Sequence, residues 1–327
     1  PNDAAAQHGL ARAYTQLGKL DAAQTAERRA LTLNGGNYPE ALAGLGDIAL
    51  ARGQNDIAIQ QYNLALQQDS NLAAAYIGLG RVSAAAGNWA VAAGHFQRAI
   101  DHDPTSAEAY RWLGEAFLEQ RNYSDAAAAY NQAIAIRRDY AEAYYGLGRA
   151  QLGMSQVDPA RANLAAALAI RPRYANASLE QGKIYEQLGR DNDAITAYSD
   201  AILADSKLAE ARYRRGLLYV RQEQMGLAES DLEAAISAQS NFPEAHYWLG
   251  RVYLAQDRDQ AARDEFKTAV GLLNGTDPDA RFYQGVAEEQ LGQRSEAVTS
   301  FQSALAQNAA AVWANDARTA IARLGPP

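Results

Sequence analysis

The segment AEAYYGLGRAQL, residues 141–152, carries two glycines and an arginine in an order that a phosphate-binding loop could use. Glycine lets backbone amides approach a pyrophosphate closely, and a guanidinium neutralises it. Four histidines, His8, His95, His102 and His246, are the next candidates for chemistry. His95 and His102 share a stretch with Asp101 and Asp103, which is the nearest approach to a metal-ligand set, yet no His-x-x-x-His or Cys/His spacing occurs. The chain has no cysteine, so it offers no thiol nucleophile, disulfide or thiolate metal site, and the redox compartment is not legible from it. The acidic pairs Asp101/Asp103 and Asp277/Asp279 fall at turns, where aspartate caps helices, and they lack the alternating series of a calcium loop. No nucleophile–base arrangement stands out. The reading is of a chain that is not an enzyme and holds no metal and no cofactor.

Composition narrows the partners. A net charge of -8 and an isoelectric point near 5.1 argue against general attraction to nucleic acid or anionic membrane. No apolar run is long enough to span a bilayer, and PNDAAAQHGL has neither the basic nor the apolar region of a signal peptide. A soluble segment, cytoplasmic or periplasmic, is expected, cut from a longer chain whose targeting sequence is not included. Lys19, Lys183, Lys207 and Lys267 are the only lysines among many arginines, which with abundant alanine suggests a GC-rich bacterial genome.

Self-similarity decides how the glycines are read. EALAGLGDIAL, AAAYIGLGRVS, AEAYRWLGEAF, AEAYYGLGRAQ and PEAHYWLGRVY are versions of one segment. Aligned units begin at Ala4, Pro39, Ala73, Ala107, Ala141, Ala175, Ala209, Pro243 and Pro278, which gives nine repeats. Position 8 of each unit is glycine except Ala11, and positions 20 and 27 are alanine throughout, from Ala23 and Ala30 to Ala297 and Ala304. Apolar residues recurring at three and four predict two helices per unit, over about positions 2–14 and 18–31. Small residues at positions 8, 20 and 27 let helices cross closely, and aromatics at position 24, such as Tyr62, Phe96 and Tyr130, fill the remaining space. The second glycine of Gly-Leu-Gly is therefore a packing position. The first occurs only in units two, three and five, and no β-strand precedes any of them as a dinucleotide fingerprint requires.

This period, with Leu-Gly, a nearby aromatic and then Ala-x-x-x-Phe/Tyr, resembles the tetratricopeptide repeat. Unit three carries Tyr76, Leu79, Gly80, Ala92, Phe96, Ala99 and Pro104, with Ser83 in place of the usual tyrosine. The family's proline at position 32 survives only at Pro104 and Pro172. The resemblance implies an all-α solenoid, a right-handed superhelix of nine helical hairpins over residues 4–311. Residues 312–324, with Trp313, Ala317, Ile321 and Leu324 on one stripe, read as a C-terminal capping helix, and residues 1–3 as the remnant of a preceding repeat.

In the family the first helices line a concave face, with positions 2, 5, 6, 9, 12 and 13 toward the ligand. The small residues there in the first three units give way to aromatics interleaved with arginine from unit four onward. Arg81, Arg111, Trp112, Tyr145, Arg149, Tyr213, Arg214, Tyr247, Trp248 and Arg251 are the expected partner-binding residues, being of the types that dominate interface energetics. A protein or peptide partner is implied, with acidic or carboxylate groups suiting the arginines. Part of this aromatic set is equally able to pack against neighbouring first helices. The family's carboxylate clamp of lysine, asparagine and arginine, and its asparagine ladder at position 6, are both absent. Glutamates at position 2 are assigned to the helix dipole. Two rival functions stay open: a regulatory or substrate-presenting arm of a larger enzyme, and a self-assembly module pairing copies through an uncapped N-terminal end.

Overall fold

The computed structural model describes residues 3–325, and among these there are nineteen α-helices and no strand. The first helices of successive hairpins are α1 (Ala4–Gln16), α3 (Pro39–Ala51), α5 (Ala73–Ala85), α7 (Ala107–Glu119), α9 (Ala141–Gly153), α11 (Ala175–Gln187), α13 (Ala209–Arg221), α15 (Pro243–Ala255) and α17 (Pro278–Gln290). Their partners are α2 (Leu20–Leu33), α4 (Asn55–Gln68), α6 (Trp89–His102), α8 (Tyr123–Ile136), α10 (Val157–Ile170), α12 (Asp191–Ala204), α14 (Met225–Ala238), α16 (Asp259–Leu272) and α18 (Arg294–Gln307), and α19 (Ala314–Leu324) follows. Each hairpin helix starts one residue before the position that periodicity predicts, while α19 starts two residues after the expected 312, with Trp313 as its N-cap. Proline explains the shift in α3, α15 and α17, because at the first helical position its missing N–H costs nothing and its fixed φ suits the helix.

The turn inside each hairpin has one backbone solution. Its residue is left-handed in all nine hairpins: glycine at Gly18, Gly53, Gly87, Gly189 and Gly292, but Arg121, Ser155, Glu223 and Asp257 elsewhere, with φ between 57° and 60°. This conformation turns the next amide back onto the helix, as where Lys19 N donates to Tyr14 O at 2.9 Å, and closes the helix end.

The chain divides into two compact units between Pro172 and Arg173. Within each, the alanines of positions 20 and 27 are fully buried, for example Ala58 and Ala65 in the first unit and Ala262 and Ala269 in the second. A Cβ on Gly80 would lie 2.4 Å from the Phe96 ring, and one on Gly182 would lie 2.4 Å from the Tyr198 ring, so the aromatic of α6 or α12 rests directly on the backbone of its own first helix. Burying such a ring removes a large apolar area from water and fixes the hairpin's closeness.

At the ends, Pro1 and Asn2 of the expected remnant lie outside the described residues, while Asp3 caps α1 by accepting from Ala5 N at 3.0 Å. Trp313 is buried, stacks on Phe282 at 4.9 Å and donates from its indole N–H to Asp279, and Ala317 and Ala320 of α19 are buried beside it.

Candidate protein-interaction face

Gly146 and Gly148 sit inside α9 rather than in a loop, and both are packing positions. The first glycine, which sequence periodicity leaves without a role, receives the aromatic of the hairpin before. A Cβ on Gly146 would stand 2.2 Å from Tyr130 Cζ, and one on Gly78 would stand 2.2 Å from Tyr62 Cζ. Each tyrosine thus lies between two glycines, one on its own first helix and one on the next.

The phenol ends of these rings reach the first-helix face and find acids there. Tyr62 donates to Asp47 Oδ1 at 2.9 Å, and Arg81 donates to the same oxygen at 2.9 Å. In the next tyrosine hairpin, Tyr130 donates to Glu115 Oε2 at 2.8 Å and Arg149 to Glu115 Oε1 at 3.0 Å, with a second bond to Glu119 at 3.2 Å. Burial foremost, and then the Glu115 charge, push the Tyr130 phenol well above its ordinary range, so it remains a donor. A tyrosine–acid–arginine chain therefore links consecutive hairpins twice in the first unit. Arg81 and Arg149 are committed to it, their charges compensated.

Where position 24 is phenylalanine, no hydroxyl is present to bond an acid, and the next hairpin answers with an aromatic instead of glycine. Trp112 stacks on Phe96 at 5.9 Å and 15°, and Tyr283 stacks on Phe266 at 5.9 Å and 23°. Arg111 lies over Trp112, its guanidinium carbon 3.7 Å from the ring centroid. The aromatics of the first-helix face are thus partly packing groups, and Trp112 and Arg111 act as one stacked pair. Arg149 also stands over Tyr145 at 5.7 Å.

In the second unit Tyr198 donates to Glu186 at 2.8 Å, one helical turn along from the acid position used in the first unit. Arg214 meets Glu210 at 3.0 Å and Glu186 at 3.4 Å, and Lys183 bridges Glu180 and Glu210. Tyr213 packs on Phe242 at 4.8 Å. Tyr247, Trp248 and Tyr283 form a half-buried cluster, with Tyr247 edge-on to Trp248 at 5.6 Å and to Tyr283 at 5.9 Å. Arg251 stands among these rings, 4.1 Å from the Tyr283 centroid, and donates to the Tyr247 hydroxyl at 3.1 Å. Tyr283 was not among the residues expected from sequence, although its place at position 6 beside Phe282 is a signal that could have included it.

The other candidates resolve into structure. Among the described residues no cluster of three or more histidine and acidic side chains could hold a metal ion. His102 stacks on Tyr76 at 5.3 Å. Asp277 caps α17, accepting from Asp279 N and Ala280 N at 3.0 Å, whereas Asp103 caps a turn and not a helix, accepting from Thr105 N at 3.0 Å, because Ser106 takes the helix N-cap of α7. Glutamates at position 2 do more than meet the helix dipole: Glu142 pairs with Arg171, and Glu210 with Lys183 and Arg214. No helix among the described residues is long and apolar enough to cross a membrane.

Comparison with known proteins agrees with this architecture. A tetratricopeptide repeat profile matches residues 8–73, 77–142 and 213–279, a TPR repeat profile residues 182–223, and a further tetratricopeptide repeat profile residues 279–309. No curated protein matches the chain in a sequence search. Among solved structures, the chain is similar to pilF of Pseudomonas aeruginosa, at 15% identity and TM-score 0.57, over 66% of this chain and 98% of that one. It is similar to PilW, a widely conserved type IV pilus biogenesis factor, at 20% identity and TM-score 0.52, over 64% and 97%. MamA aligns at 30% identity and TM-score 0.45, over 51% of this chain and 97% of its own. The profile matches cover more than half of the residues, and the helix pairs follow the same period: the chain belongs to the tetratricopeptide repeat family.

Proposed function

We propose that this interaction scaffold binds a peptide or a protein segment, extended or helical, along the first-helix face, with acidic groups meeting its arginines. The observation that carries this reading is the half-buried aromatic cluster of Tyr247, Trp248 and Tyr283, interleaved with Arg251 on α15 and α17. Rings held by their neighbours lose little freedom when a ligand covers them, and tryptophan, tyrosine and arginine make most of the binding energy at interfaces. The face presents these side chains on rigid helices, so binding needs no large rearrangement. In the first unit by itself, the first-helix face carries Tyr145 and the Arg111–Trp112 stack, while Arg81 and Arg149 pair with acids of the same face.

Selection of a random peptide library on the immobilised chain tests this. The comparison is a variant carrying Tyr145→Ala, Tyr213→Ala, Tyr247→Ala and Trp248→Ala, with its helicity checked by circular dichroism. Peptides retained by the parent and lost by the folded variant support the reading. Equal retention by both, or no retention by the parent, overturns it.

A further inference from the structure

We infer that Arg251 is a carboxylate seat, its guanidinium framed by Trp248, Tyr247 and Tyr283 so that an Asp, Glu or C-terminal carboxylate of a bound peptide completes it. This rests on the peptide-binding reading above and names the group the peptide must bring.

The argument begins with the other arginines at the same place in their hairpins. Arg81 and Arg149 each find an acid one hairpin earlier, Asp47 at 2.9 Å and Glu115 at 3.0 Å, and each acid is also held by a tyrosine hydroxyl. For Arg251 both parts of that arrangement are missing. The preceding first helix, α13, carries Leu217 where the acid would stand, and α14 carries buried Leu232 where the tyrosine would be. Among the described residues no carboxylate forms an ion pair with Arg251, and the Tyr247 hydroxyl is its one side-chain acceptor. A guanidinium has five N–H donors, so most of its fork faces no protein oxygen.

The rings around it make the site suited to an anion. Arg251 lies 4.1 Å from the Tyr283 centroid, 5.5 Å from Trp248 and 5.9 Å from Tyr247. Aromatic surfaces hold the cation in place and limit its hydration, which strengthens a planar two-point bond to a carboxylate. The same half-exposed rings offer apolar contact to the side chains flanking that acid.

The test uses peptides selected on the full chain from a random library. Selected peptides are expected to be enriched in Asp or Glu, or to require a free C-terminus. Replacing the key acid by its amide is expected to weaken binding about 10- to 100-fold. Arg251→Gln should weaken the parent peptide by a similar factor, and should make the acid and amide peptides bind alike; Arg251→Lys should recover part of the loss. The peptide substitution reads the same contact without altering the protein, so a folding defect cannot mimic the result. Selected peptides without acids, or acid peptides indifferent to Arg251→Gln, overturn the inference. If peptides still bind Arg251→Gln at full strength but not Trp248→Ala, the carboxylate seat fails while the peptide-binding reading stands. If the parent selects no peptide, both fail.

Discussion

Gly146→Ala is the most direct test of the packing described above. The added methyl carbon would lie 2.2 Å from Tyr130 Cζ, 2.4 Å from Cε1 and 2.7 Å from the hydroxyl oxygen. The ring has nowhere to go, since Tyr130 is fully buried and rests against Gly114 on its other side, at 2.9 Å from where a Cβ would be. Overpacking of this kind costs about 1–3 kcal/mol. Moving the ring also strips Glu115 of a hydrogen bond, at a further cost of about 1.5 kcal/mol or more for a charged acceptor. Against this, alanine is better than glycine inside a helix by about 1 kcal/mol. The net expectation is a destabilisation of about 2–3 kcal/mol, read as a lower urea midpoint and as faster amide exchange in α8 and α9. Gly94→Ala is the control of opposite sign: it also lies within a helix, but nothing stands within 4 Å of its Cβ, so it should stabilise by about 0.5–1 kcal/mol. Tyr130→Leu should relieve Gly146→Ala, because leucine lacks the Cζ, Cε1 and hydroxyl atoms that the added methyl carbon would meet. Additive effects of Tyr130→Leu and Gly146→Ala in a double-mutant cycle would refute the packing argument.

Two further predictions concern the turns and a buried histidine. Arg121→Gly, Ser155→Gly, Glu223→Gly and Asp257→Gly should each raise stability by about 0.5–1 kcal/mol, the relief of a left-handed backbone exceeding glycine's greater unfolded entropy, while Gly53→Ala should lower it; urea midpoints decide the sign. His246 faces an acceptor on each ring nitrogen, Glu265 Oε2 at 2.6 Å from Nδ1 and the Ser240 carbonyl at 3.3 Å from Nε2, so only the protonated ring donates to both, and the Glu265 bond foremost raises its pKa above 6.5 despite burial. A histidine pKa raised by folding contributes stability that is whole below the unfolded value and is lost as pH rises through the folded value. Amide exchange in α15 and α16 should therefore quicken as pH rises from about 6.5, after correction for the intrinsic rate, and His246→Gln should abolish that slope.

Much of the fold was legible because its determinants are local to each period. Gly46, Ala58 and Ala65 sit at fixed places in one hairpin, and a short turn brings them together whatever the neighbours do. The first glycine was left without a role because its reason lies on another helix: Gly78 is explained by Tyr62, and Gly146 by Tyr130. The signal was nonetheless in the chain, as Tyr62 and Tyr130 at position 24 followed by Gly78 and Gly146 at position 6, and Phe96 or Phe266 followed by Trp112 or Tyr283. The arginines carry the same lesson. Asp47 then Arg81, and Glu115 then Arg149, alternate acid and base in successive hairpins, a pattern visible only when one position is read down the repeats. What periodicity could not separate was an arginine compensated by its own chain from one, Arg251, that is not.

The matched tyrosine and glycine also make hairpins of the first unit non-interchangeable parts. A hairpin ending in Tyr62 or Tyr130 fits only ahead of one offering Gly78 or Gly146, and one ending in Phe96 fits ahead of Trp112. The tyrosine-to-glycine seam thus recurs on every second hairpin, so that the block able to be duplicated or deleted with its seams intact is the pair of hairpins α5–α8, which opens on Gly78 and closes on Tyr130. Removing α5 and α6 alone would set Tyr62 against Trp112, two large rings in a space shaped for one. Chain growth and shortening by recombination would then proceed in steps of two, with the seam itself enforcing the register.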